Sequence, residues 1–505
     1  AEDFVSQMRT YFQDNLNKRP YANEEPLRSE LFTSGQMEKY GKTLAETHRL
    51  STERGKDRVL RRLAENEKTL FEVQALLTDE DSLEAQITPA GEWLVDNFYL
   101  IEEQIRTAKR HLPKGYSENL PKLANKRAAG LTRVYDIALQ IISHSDGRID
   151  IDSLSSFVKS YQTVKHLKLG ELWAIPIMLR LALIENLRRV SAKIAIDRID
   201  FKLADYWAKR LIETAENEPR DLIITVADLT RSRPPLVSPF IAELTRQLSG
   251  KGPGLALALS WIEQRLSESG LTSIELISAE NQKQAADQVS VKNSIDSLRL
   301  LSAMDWRDFV EEHSVVENIL RKDPSGIYPR MDFTTRDQFR HVVEHVSQKS
   351  KLSEEEVAQI VLRLAEERAQ ANSINDRQAH VGFYLIGKGL METRKAAKIP
   401  QTLFNNIRFM MRRRALFLYL SAVFVLTSVL TAGVYYFIRS EELGKMVLAA
   451  ILLLAFISIS QLVITLVNFL STLIVKPRLL ARMDFSEGIP SEFKTLVIIP
   501  SMLTN

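Results

Sequence analysis

"ALFLYLSAVFVLTSVLTAGVYYFI" runs from Ala415 to Ile438 without a charge, and "MVLAAILLLAFISISQLVITLVNFLSTLIV" follows from Met446 to Val475. A helix that crosses the hydrocarbon core of a bilayer needs about 20 apolar residues. Both stretches exceed that length, so both read as transmembrane helices. Arg408, Arg412, Arg413 and Arg414 precede the first span, and Lys476, Arg478 and Arg482 follow the second. The connecting loop, "RSEELGK" at 439–445, is short and balanced in charge. Positive flanks stay on the cytoplasmic side. The pair therefore reads as a hairpin, with residues 1–414 and 476–505 cytoplasmic and 439–445 outside. Gln461 and Asn468 stand in the second span, seven apart and hence on one face. They suit hydrogen bonding between helices or the lining of a polar pathway. Two helices alone cannot enclose a wide channel.

Composition narrows the rest. Of 505 residues, 45% are hydrophobic and 26% charged, as in an ordinary folded chain. Lys plus Arg is 67 against 64 acids, a net charge of +3, which gives no footprint for nucleic acid. There is no cysteine, which excludes a disulfide scaffold and any Cys-ligated metal centre. The first residues contain no apolar h-region, so they are not a secretory signal. The sequence opens on Ala1 and closes on "FKTLVIIPSMLTN", Phe493 to Asn505. Thr495 to Ile499 is a short β-branched run stopped by Pro500, the pattern of a strand buried on both faces. A start without Met and a closing strand without partners lead us to expect a fragment.

Residues 1–400 carry helical periodicity. Leu60, Leu63, Leu70, Val73 and Leu77 recur at steps of three and four and, once, at their sum of seven. Thr88 reads as an N-cap with Pro89 at N1, opening a helix that stops near Pro113. Ser353 caps a second helix with acids in its first turn. "GELWAIPIMLRLALIENLRRV", Gly170 to Val190, is apolar nearly all round and predicts the central buried helix. Pro176 sits near its start. Glu185 pairs in register with Arg188 or Arg189, and Arg180 does not. That cluster reads either as a structural ion pair or as a polar patch facing a ligand. The expected architecture is mainly α: a multi-helical domain over 1–400, with a possible division near residue 250, then the hairpin.

Three segments invite chemistry. "HVVEH", His341 to His345, matches H-x-x-E-H, in which two histidines one turn apart ligate zinc and Glu344 serves as base. A third ligand is wanting, and the surroundings read as an amphipathic helix. Glu92, Asp96, Glu102 and Glu103 lie near Trp93, Phe98 and Tyr99, which suits either glycoside chemistry or a solvated helix face. Asp323 to Arg340 is turn-rich, with acids and arginines that suit phosphate binding, docking on a partner, or loop capping. No G-x-S-x-G, P-loop or G-x-G-x-x-G is present. We assign no catalytic residue and no metal ligand.

Seven segments, in this order, carry a family resemblance: "PLRSELFTSGQMEKYGKTLAETHRL" (26–50), "ITPAGEWLVDNFYLIEEQIR" (87–106), "LPKGYSENLPKL" (112–123), "GELWAIPIMLRLALIENLRR" (170–189), "DPSGIYPRMDFTTRDQFRHVVE" (323–344), "AHVGFYLIGKG" (379–389) and "PRLLARMDFSEGIPSEFKTLVIIPSMLTN" (477–505). The chain resembles the N-terminal region of cyclic β-1,2-glucan synthases, from Pro26 onward. The resemblance implies a bacterial inner-membrane hexosyltransferase that polymerises glucose from UDP-glucose and closes the product into a ring. It implies a helical cytoplasmic domain (1–400), a basic juxtamembrane segment (401–414) and spans at 415–438 and 446–475. A periplasmic loop (439–445), a linker (476–492) and the first strand of a truncated GT-A-like α/β domain (493–505) complete it. The donor and a divalent cation would belong to the transferase domain beyond this chain, and no cofactor to the chain itself. The nucleotide in such folds sits at strand carboxyl ends, which makes Pro500, Ser501 and Met502 the expected uridine-side contacts. Implied partners are the lipid bilayer, the remaining domains of the same polypeptide and a glucan chain. The rival reading is a membrane-anchored helical adaptor or signalling receptor without catalysis.

Overall fold

The helices begin where local chemistry starts them. Thr88 caps Pro89–Asp96 by accepting from the Gly91 amide, with Pro89 in the first turn. Thr33, Thr272 and Ser353 each form a reciprocal capping box with Gln36, Glu275 and Glu356. Such a box satisfies two of the amides that a helix start leaves without partners. The computed structural model describes residues 24–51, 58–78, 87–112, 116–125, 128–268, 270–399, 414–439, 444–474 and 480–493. Among these, 19 α-helices make the chain mainly helical, and β-pairing is limited to three isolated bridges. The strand expected at 495–499, with which the GT-A-like portion of the expected fold would open, lies outside the described residues.

Two compact units divide between Val315 and Val316. In the first, Leu169–Asn217 is one helix of 49 residues, about 74 Å long at 1.5 Å per residue. The sequence predicts only its first half, Gly170 to Val190. That half is buried all round, and its apolar run is what the eye finds. The remainder continues with Leu203, Ala204, Trp207, Ala208 and Leu211, a narrower apolar stripe set among charges. The helix is shared by two cores. Its N-terminal part packs into a cluster reaching from Met37 to Val310, and its C-terminal part into a second cluster from Leu203 to Leu266.

The helix expected to run from Thr88 to Pro113 is two helices, Pro89–Asp96 and Phe98–His111. Asn97 breaks them. Its side-chain amide donates to Trp93 O at 2.9 Å, and its side-chain oxygen accepts from Arg299 at 2.5 Å. An Asn that satisfies nearby backbone groups competes with the helix it interrupts.

Ser34–Thr47 lies against Ile151–Gln162 at Gly41. A Cβ at Gly41 would come 2.7 Å from the backbone oxygen of Phe157. Gly41→Ala is therefore expected to push the two helices apart and to destabilise the unit by about 1–3 kcal/mol. Urea unfolding of the variant beside the parent protein measures it; an unchanged midpoint would contradict the close approach.

The second unit contains short helices over 316–399, the apolar helices Ala415–Ile438 and Lys445–Ile474, and the segment 480–493. Both apolar helices are long and apolar enough to cross a membrane. Only 6% of the most apolar stretch of each is buried. The core helix of a water-soluble protein would hide that surface, so lipid is its natural solvent. The two pack on one another through Thr427, Val463 and Val467.

Candidate functional site

Glu317 organises the second unit. Its carboxylate is fully buried and accepts from Arg340 at 2.6 Å, Tyr328 Oη at 2.7 Å and Arg321 at 2.8 Å. Arg336 lies 3.7 Å away. Burial, then the adjoining Glu317 carboxylate, push the Tyr328 phenol well above its ordinary range. Asp323 does similar work nearby. It accepts from His380 Nδ1 at 2.9 Å, Ser325 Oγ at 2.5 Å and the Val381 amide at 3.0 Å. Burial alone would raise its pKa, but the hydrogen bonds from His380 and Ser325 outweigh burial and hold it below the usual value. Of the arginines in Asp323 to Arg340, Arg336 and Arg340 thus turn inward onto carboxylates of their own chain, away from the phosphate-binding role open to them in the sequence, while Arg330 is exposed and donates to Gly326 O at 3.2 Å.

What this segment holds is the chain returning from the hairpin. The Asp332 amide donates to Arg482 O at 3.0 Å, and the Arg482 amide to Thr335 Oγ1 at 3.0 Å. The Asp484 amide donates to Arg330 O at 2.8 Å, and Met331 and Met483 form an antiparallel bridge. Asp332 also caps Phe333–Lys349 through the Thr335 amide, so helix start and dock share residues. Residues 330–335 precede the first span and 482–484 follow the second. Their pairing puts both outer flanks of the hairpin on one side, as an even number of crossings requires.

A second charge cluster lies in the first unit. Glu185 is fully buried. It accepts from Arg62 at 2.9 and 2.7 Å, Asn66 at 2.7 Å, Arg188 at 2.7 Å and Arg189 at 2.8 Å. Glu24 bonds the same three arginines from the solvent side. Burial would raise the Glu185 pKa. The Arg62 hydrogen bond and the three positive charges outweigh burial and hold it well below the carboxylate range. Arg180 bonds Gln104 instead, at 2.8 Å. The carboxylate is saturated with donors, and the cluster is a structural clamp joining Val59–Thr78 to the long helix.

The other sequence-flagged residues stay apart. Both ring nitrogens of His341 face carboxylates, Nδ1 with Glu344 at 3.0 Å and Nε2 with Asp337 at 3.4 Å. Those hydrogen bonds raise its pKa to about 10. His345 moves the other way, lowered by burial and by Lys349 and Arg394. Glu344 is engaged with a cationic imidazole, not poised as a base. No cluster of three His, Cys, Asp or Glu suited to a metal occurs among the described residues. His341 is expected to keep its proton at pH 8, and an NMR titration of its ring protons with a midpoint near 6.5 would contradict the pairing. Glu92, Asp96 and Glu103 are exposed, Phe98 is buried and Tyr99 is exposed, so the acids form a solvated face. In the hairpin, Tyr419 Oη donates to Asn468 Oδ1 at 2.9 Å, while Gln461 is exposed. Pro500, Ser501 and Met502 lie outside the described residues.

The functional features that sequence reading missed are the docking of 482–484, the focus on Glu317 and the part of Arg62. Only the "MDF" repeated at 331–333 and 483–485 marks the bridged pair in the sequence. Sequence comparison meets the geometry here. Over 499 residues, 97% of the chain, it is 28% identical to the curated cyclic β-(1,2)-glucan synthase NdvB of Rhizobium meliloti (strain 1021). The chain is similar to the N-terminal part of that synthase. It spans 17% of the synthase's length. No family model matches. The similarity covers 97% of the chain and so runs through both units, the apolar helices of the second included, which puts the docked hairpin inside the matched region.

Proposed function

We propose that the chain is the leading part of a membrane-bound cyclic β-1,2-glucan synthase, in which it anchors and positions the transferase. The carrying observation is the similarity over 97% of the chain to a curated synthase. The dock of 482–484 on 330–335 supports the positioning role, because it ties the chain leaving the second span to the helical platform. In this reading the membrane is a bacterial inner membrane, with residues 1–414 and 476–505 cytoplasmic. The donor is UDP-glucose, bound with a divalent cation by a domain that continues from Phe493, and Pro500, Ser501 and Met502 contact the uridine side. A glucan chain is the product handled by the whole protein.

The test expresses the full reading frame in a host unable to make cyclic glucan. Membranes are given radiolabelled UDP-glucose, and the product is identified by ring mass and by linkage analysis. A cyclic β-1,2-linked product supports the reading; a full-length, inserted protein yielding none would sink it. Asp484→Pro removes the amide that donates to Arg330 O. It is expected to leave insertion intact and to lower incorporation, and unchanged incorporation would overturn the positioning role.

A further inference from the structure

The second span carries a polar stripe. Ser458, Gln461, Thr465, Asn468 and Thr472 follow one another at steps of three, four, three and four. All five are exposed. The buried seam toward the first span is centred elsewhere, at Val463 and Val467, and Asn468 at the edge of the stripe is reached from that span by the long Tyr419 side chain. At about 100° per residue the stripe lies about 140–220° around the helix from Val463, on the opposite face. The alternation of three and four is the spacing of residues facing a neighbouring helix.

The two threonine hydroxyls satisfy themselves on their own helix. Thr465 Oγ1 donates to Gln461 O at 3.0 Å and Thr472 Oγ1 to Phe469 O at 2.7 Å. The carboxamides cannot. Asn468 receives one bond, from Tyr419. Among the described residues the Gln461 side-chain amide has no partner. Two donors and a carbonyl left in hydrocarbon, with no water to meet them, are strongly unfavourable. Polar side chains within a span accordingly face other helices or a wetted cavity.

We propose that this stripe is the docking face for a further membrane-spanning helix of the same polypeptide, which offers a hydrogen-bonding side chain at the depth of Gln461. The inference rests on the reading that the chain leads a longer synthase. The matched portion is 17% of its relative's length, so most of such a polypeptide would lie outside the hairpin.

The experiment incorporates p-benzoylphenylalanine at position Gln461 of the full-length protein in native membranes. Ser458 is labelled in parallel on the same stripe, should the first site impair folding, and Leu466 serves as an off-stripe control. Protein is co-expressed in light and heavy isotope forms, irradiated and mapped by mass spectrometry. The expected result is a cross-link from 461 or 458 to an apolar segment beyond Asn505 of the same copy, with lipid adducts dominant at 466. Light–heavy pairs would assign the face to a second copy and overturn the proposal. Lipid adducts at 461 and 458 would overturn it too. An intramolecular cross-link in a protein that makes no glucan would leave the docking face standing and remove the synthase reading.

Discussion

Glu185→Ala is expected to destabilise the first unit by about 3–5 kcal/mol, since it leaves buried arginines facing no carboxylate at the centre of their cluster. That is a large share of a typical domain's 5–15 kcal/mol. Glu185 is fully buried, and Arg62 and Arg188 are nearly so, leaving water little room to screen them. Glu24 is partly exposed and cannot replace it. Glu185→Gln keeps the shape, removes the charge, and should cost a comparable amount at pH 7. The pH dependence has a definite sign. The folded carboxyl is held well below its ordinary value, and unfolded Glu titrates near about 4.3. Its contribution is therefore complete above the unfolded value and fades as pH falls toward the folded one. The gap between parent protein and Glu185→Gln in urea unfolding should be widest above about pH 5 and shrink below about 4. A gap under about 1 kcal/mol at pH 7 would show that Glu185 is not what holds the arginines, given the usual cost of breaking a buried pair.

Arg340→Met should be nearly as severe, at about 3 kcal/mol, for the converse reason: it takes from the buried Glu317 carboxylate its one fully buried cation among the described partners, leaving the half-exposed Arg321 and the more distant Arg336 to balance it. Arg340 is fully buried, bonds Glu317 and Asp337, and lies over the Phe333 ring at 5.0 Å. Met fills similar volume, so the loss reports charge rather than packing. The helix that Arg340 secures begins at Phe333, beside the Asp332 and Thr335 atoms that hold Arg482. The variant should therefore also loosen the dock, read as faster tryptic cleavage after Arg482 in membranes. Asp484→Pro should expose the same bond without touching Glu317. Arg340→Met with unchanged unfolding and unchanged cleavage would dissociate the Glu317 cluster from the dock.

Much of the helical architecture was legible because it is written locally. Thr88 and Ser353 start helices through atoms three residues on, and both caps form as the sequence predicts. Glu185 pairs with Arg188 and Arg189, which its spacing on the helix allows. Other features were not legible. Nothing local marks Asn97 as a break, because the partner that fixes its side chain is Arg299, 202 residues away. The far half of the long helix was missed because its apolar stripe acquires meaning only against Phe240, Leu244 and Ile262, which cover it in the second core. The H-x-x-E-H pattern was legible and misleading: Asp337 and Glu344 take both nitrogens of the first histidine.

The sequence alone determined where the chain can enter a membrane. A charge-free run of helical length is judged against one solvent, lipid, and needs no knowledge of neighbours. It likewise determined the helix starts and the absence of cysteine chemistry. Tertiary structure decided which carboxylate each arginine meets. Arg62 finds Glu185 across 123 residues, and the Arg482 amide finds Thr335 across 147. Those choices depend on which helix faces abut, since a charge in low dielectric takes whatever counter-charge packing brings within about 4 Å. Spacing along the chain cannot rank such partners; the folded core, which excludes water and leaves few within reach, does.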